Sequence, residues 1–170
     1  MISETIRHLI ATPGKESYKM LYGGNETSKS FFWIDWRERE EEIVYGCESV
    51  LKTGVLSDER SGERLFITYR DVRIEVPLTQ SPEDRHITLL ALNELLFPDY
   101  EVRLTMATAC EDTAALAPLT CAEWEQLEAE YGADAVSRAF HRLQKHPILF
   151  KENDRFLASS GFSRWSQYWE

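Results

Sequence analysis

Long apolar runs, paired cysteines, glycine-rich loops and clustered basic residues are all missing from this chain. No stretch approaches the roughly 18 to 20 consecutive apolar residues that a membrane-spanning helix needs, so no membrane partner is expected. The opening residues, MISETIRHLIATPGKES, put acidic and polar side chains where a secretory leader has its basic region and apolar run, and the expected location is cytoplasmic. Cys47, Cys110 and Cys121 are odd in number and widely spaced, which argues against a zinc ribbon and a disulfide framework. His8, His86, His141 and His146 include no pair four apart, the spacing that puts two imidazoles on one helix face; no metal or cofactor is expected. A G-x-S-x-G elbow, a P-loop and a G-x-G-x-x-G turn are likewise absent. Cys110 or Cys121 could be drawn beside a distant histidine, but no local pattern supplies the activation a nucleophile requires. The expectation is a protein that is not an enzyme.

What the chain has in quantity is acid. Its 170 residues carry 29 Asp and Glu against 19 Lys and Arg, a formal charge of −10 with histidine neutral. That balance opposes nucleic acid, because phosphate binding needs clustered cations. It favours solubility and basic partners. The apolar share of 43% and charged share of 28% are globular values, and a chain of this length buries roughly 70% of its unfolded surface. One domain over 1–170 is expected, with a helical C-terminal subdomain over 118–170 as the alternative.

Apolar spacing predicts a helix over 2–10, closed by Pro13-Gly14. A brief strand is expected over 18–22. Four more strands are expected, over 31–36, 43–53, 65–69 and 72–78. In the second of these, Ile43, Tyr45 and Cys47 share the core face. Arg70-Asp71 turns the last two into a hairpin, with Val72, Ile74, Val76 and Leu78 alternating inward. Ser81-Pro82 starts a helix that Pro98 stops, with Ser81 as its cap. A fifth main strand covers 100–106. Thr120 and Glu123 form a capping box, Gly132 closes that helix in the left-handed conformation, and Asp134 caps the next. The fold class read from this order is α+β: a mainly antiparallel sheet of about five strands, helices on one face, and a helical C-terminal portion.

Two features ask for more than packing. Arg37-Glu38-Arg39-Glu40-Glu41-Glu42 reads either as a solvated hairpin loop or as an acidic patch facing a basic groove on a partner. The aromatic sets around Trp33 and Trp36, and around Trp165 and Trp169, read either as core or as interface anchors. Asp35 sits between Ile34 and Trp36; alternation puts it on the wet face of a strand, whereas a raised-pKa acid would need an apolar pocket. The candidate partner-binding residues are Asp35, Trp36, Glu38, Glu40, Glu41, Glu42, Trp165 and Trp169.

SPEDRHITLLALNELLFPDYEVRL (81–104) and PLTCAEWEQLEAEYG (118–132) resemble segments of the immunity proteins of bacterial polymorphic, contact-dependent and type VI toxin systems. The resemblance implies a compact acidic domain that blocks a cognate toxin in the cytoplasm by occluding its active site, and it carries no residue roles. Its partner would be a basic toxin or effector, bound by a monomer or homodimer. The competing readings are an acidic secretion chaperone, an enzyme without a recognisable signature, and an acidic mimic of DNA.

Overall fold

The structure, a computed structural model, describes residues 2–13, 15–22, 27–35, 37–109 and 111–145. Its elements are α1 (Glu4–Ala11), α2 (Lys15–Leu21), α3 (Thr27–Ser30), β1 (Phe32–Asp35), α4 (Glu40–Leu51), β2 (Leu56–Ser61), β3 (Arg64–Tyr69) and β4 (Val72–Glu75). Then come α5 (Asp84–Leu96), β5 (Tyr100–Thr105), a 3-10 turn (Met106–Thr108), β6 (Thr113–Thr120), α6 (Cys121–Tyr131), α7 (Ala133–Ala139) and β7 (Phe140–Arg142). The strands form two antiparallel sheets, ordered β1-β6-β5-β7 and β2-β3-β4. The protein is α+β, as its sequence predicts, with seven described strands divided between two sheets instead of about five in one.

Alternation along β6 sets the layers. Ala114 and Leu116 join one apolar cluster with Ile43, Val44 and Cys47 of α4, Leu89, Leu92 and Leu96 of α5, and Leu65 and Ile67 of β3. Ala115 and Ala117 join a second, with Ile6 and Leu9 of α1, Trp124 and Leu127 of α6, and Val136 of α7. Helices therefore cover both faces of the larger sheet, not one. Phe32 and Ile34 enter the first cluster while Phe31 and Trp33 meet the second, so both faces of β1 are covered.

The segment expected as a strand over 43–53 is helix α4. Ile43, Val44 and Cys47 follow helical spacing, and Glu40, Glu41 and Glu42 lie in the first turn, where carboxylates complement the helix dipole. Tyr45 accordingly points away from Ile43 and Cys47 and is 71% exposed. Of the brief strand expected over 18–22, residues 18–21 belong to α2 and Tyr22 is the turn that follows. The β3–β4 hairpin stands, with Tyr69 paired to Val72 and Arg70 at φ 54. Its inward face begins only at Ile74, because Val72 lies exposed at the tip.

Helix α5 starts two residues later than Pro82. Its anchor is Asp84, buried, whose carboxylate accepts from the backbone N–H groups of Thr79 (2.7 Å), Gln80 (2.9 Å) and Ser81 (3.3 Å). The Thr120–Glu123 capping box is present. Gly132 has φ 88 and ψ 142, an extended positive-φ conformation open to glycine rather than the left-handed helical one, and it precedes α7 as the cap expected of Asp134.

Pro118 is tolerated inside β6 for a local reason. It pairs with Val102, whose N–H and carbonyl are both bonded to the Asn93 side chain (2.7 and 2.9 Å). Both Val102 groups therefore face away from β6, and the N–H that proline lacks has no partner to disappoint.

Candidate functional site

The β1–α4 corner collects the acidic run and three aromatic rings that reach the surface, over the buried Phe31 and Phe32. Glu42, Tyr45, Gly46 and Ser49 follow helical spacing on α4 and form one wall of an open pocket of about 420 Å³. Tyr22 beyond α2 and Trp33 of β1 form another, with ring centroids 5.2 Å apart and planes tilted by 47°. Glu38 closes the rim. Tyr22 is 56% exposed, and Trp33 is half-buried between the pocket and the second apolar cluster.

Gly46 makes the floor. A Cβ built there would lie 2.8 Å from Cδ2 and 3.0 Å from Cβ of Phe32, a buried side chain with little room to yield. Only glycine lets α4 approach β1 this closely.

The predicted residues separate into groups. Glu40 and Glu41 both bind Arg60 of β2: its Nη2 donates to Glu40 Oε2 (2.8 Å) and Glu41 Oε2 (2.9 Å), and its Nε pairs with Glu41. Burial pushes the Glu41 carboxyl upward, but the Arg60 guanidinium, with the backbone N–H of Glu41 itself and the charge of Arg39, outweighs it and holds the pKa below its ordinary value. Burial, and then repulsion from Glu41, raises Asp58 next door. Glu40 and Glu41 thus join α4 to β2, whereas Glu42 makes no salt bridge among the described residues.

Asp35 is also spoken for. Its Oδ1 accepts from the Arg37 backbone N–H (2.9 Å) and Nε (3.3 Å), and that backbone bond foremost lowers its pKa. This is the reverse of the raised pKa a general acid needs. Its own N–H donates to Glu38 Oε2 (2.9 Å), which fixes Glu38 at the rim. Trp36, Trp165 and Trp169 lie outside the described residues, as do Cys110 and His146.

Sequence reasoning missed Tyr22 and Tyr45 as site residues and weighed Trp33 as core or interface anchor without counting it among the candidate partner-binding residues. The spacing 42, 45, 46, 49 is the signal that identifies them, once the segment is read as helical. Among the described residues no basic side chain lines the pocket. Nor do any three described His, Cys, Asp or Glu side chains gather to hold a metal ion, and no described helix is long and apolar enough to cross a membrane. Burial raises the thiol pKa of both Cys47 and Cys121, away from a reactive thiolate. Comparison with family models, with curated proteins and with solved structures finds no match.

Proposed function

We propose that this is a non-enzymatic binding protein that inhibits a basic partner, in the manner of a toxin-immunity protein, through the β1–α4 corner. The supporting observation is that aromatic anchors and carboxylates converge on one open pocket with no basic residue in its described lining. Aromatic rings supply contact area at small entropic cost, and the surrounding acid steers a cationic surface toward them. Occlusion then needs no chemistry from the inhibitor. The test is capture from native lysate followed by an activity assay of what is captured. A stoichiometric basic partner is expected, inhibited by the protein and released by salt or by Glu38→Lys with Glu42→Lys. Recovery of no such partner, or of one whose binding ignores both charge reversals, sinks the reading.

A second reading, the secretion chaperone, draws on a different groove. About 830 Å³ lies between β4 and α5, lined by Val72, Ile74, Ile87, Leu90 and Phe97 among others, with Phe97 70% exposed. β4 is the free edge of its sheet among the described strands, a geometry that receives an extended client segment. A homodimer in solution that binds peptides along β4 favours the chaperone; a monomer inert to them favours the inhibitor.

A further inference from the structure

We propose that the corner pocket is a receptor for one arginine side chain of the protein partner, its guanidinium placed over Trp33 and between Glu38 and Glu42. This rests on the inhibitor reading and names what that partner must present.

The molecule itself supplies the pattern. At three rings of the described part, an aromatic face and carboxylates hold the chain's own arginines, one each at Trp124 and Tyr69 and two at Phe66. Arg103 lies 4.3 Å over Trp124 while its guanidinium nitrogens reach Glu101 (2.8 Å) and Glu128 (2.7 Å). Arg70 lies 5.0 Å over Tyr69 and binds Asp99 (2.8 Å). Arg64 and Arg73 lie 5.0 and 4.2 Å from the Phe66 centroid and bind Glu75 (2.6 Å) and Glu59 (2.8 Å). The corner repeats the ring and the acid in concave form, and its described lining contributes the indole, two phenols and two carboxylates without a cation.

The ring quadrupole attracts a cation at its face, and indole does so best. A planar guanidinium also stacks on the ring while its edge donates to carboxylates, which an ammonium cannot do together. A single side chain fits an open pocket of this size, whereas a nucleotide or other anion would meet Glu38 and Glu42.

The test uses the full chain and three probes: N-acetyl-arginine-N-methylamide, its neutral isostere with citrulline, and free arginine. The Trp33 indole N–H is followed by NMR during titration. The capped arginine is expected to bind with a Kd in the millimolar range and citrulline at least about fivefold more weakly. Glu42→Gln and Tyr45→Ala, both at exposed side chains, are each expected to weaken arginine binding severalfold without moving Tm. Equal shifts from arginine and citrulline, or binding unchanged in both variants, would overturn the pocket. Free arginine binding more tightly than the capped form would also overturn it, by making the ligand a free amino acid. A captured basic partner indifferent to Tyr45→Ala would overturn the pocket and keep the inhibitor reading. Arginine binding of the expected pattern with no basic partner recovered would keep the pocket and sink the inhibitor.

Discussion

Trp124 and Trp33 meet acid in opposite ways. Trp124 is 1% exposed, its indole N–H donates to the Glu101 carbonyl (2.9 Å), and its face is covered by Arg103, also 1% exposed. Trp33 is half-buried, and the carboxylates beside it stand at a pocket mouth. Bringing a guanidinium inside costs desolvation, which Glu101 and Glu128 offset by closing a network around it. At the corner the acid remains hydrated and the ring accessible. The same residue types therefore serve the fold where the cation is internal and are available for recognition where it is not.

The comparison breaks hardest at Arg103. Arg103→Ala leaves two partly buried carboxylates with only the exposed Arg142 (3.6 Å from Glu101 and 3.3 Å from Glu128) as a cation, and a loss of about 3 kcal/mol in urea unfolding is expected, the low end for a broken buried pair. Arg103→Lys should recover only part, since an ammonium cannot bind both carboxylates in the same plane. The acid limb gives an independent reading. Burial pushes Glu128 up, but Arg103 and after it Arg142 together outweigh it and hold the folded-state pKa low. The associated stability is present above the unfolded value of about 4.3 and is lost as pH falls through the folded pKa. In Arg103→Ala that acid-side loss should flatten, with Arg142 retaining part of it. A variant that unfolds like the parent at every pH would show the network to be decoration.

How far the sequence reveals these two places differs for a physical reason. Alternation in 100–106 finds β5 but assigns Arg103 to the wet face; the burying partner, Glu128 of α6, is 25 residues away, and no local pattern encodes it. The capping box and the helix stopped by Pro98 are local events and were legible as such. β6 was not, because its Ala-rich, Pro-containing sequence lacks strand propensity and owes its place to neighbours on both sides. β2, LSDERS, was hidden by its polarity: one of its carboxylates and its arginine answer charges on α4 and β4 rather than a core. At the corner, acid and tryptophan were visible in the sequence, but reading α4 as a strand put Tyr45 inside. The pocket could not be assembled from that reading.

Gly46 tests the corner's floor. Replacing a mid-helix glycine by alanine ordinarily stabilises by up to about 1 kcal/mol. Here the added methyl meets Phe32 at 2.8 Å, and overpacking of this kind costs about 1–3 kcal/mol. A net loss is expected for Gly46→Ala, together with a changed Trp33 environment in near-ultraviolet circular dichroism. A gain in Tm would mean that α4 lifts freely from β1, and the pocket would then be no fixed feature.

A smaller effect belongs to the Trp124 side. His141 in β7 is buried, and desolvation lowers its pKa from the ordinary 6.5. With the folded pKa depressed, the unfolded chain takes up the proton first, so stability falls as pH drops through about 6.5. His141→Leu should remove that slope between neutral and mildly acid pH, as read from urea midpoints across the range. A slope unchanged in the variant would move the proton elsewhere.

The smallest expected stability change is the one that separates the two places most cleanly. Tyr45 and Glu42 lie on the outer stripe of α4, Tyr45 is largely exposed, and Glu42 has no salt bridge to lose among the described residues. Tyr45→Ala and Glu42→Gln should each shift unfolding by no more than about 0.5 kcal/mol, the ordinary range for surface changes. Set against the loss at Arg103, that ratio says which cluster the fold depends on. A large destabilisation by Tyr45→Ala would place its ring among the packing contacts of α4, and the corner would then be a second structural cluster like that of Trp124. Near-neutral stability would set this exposed tyrosine and its two neighbouring carboxylates apart from the packing that holds the Trp124 cluster.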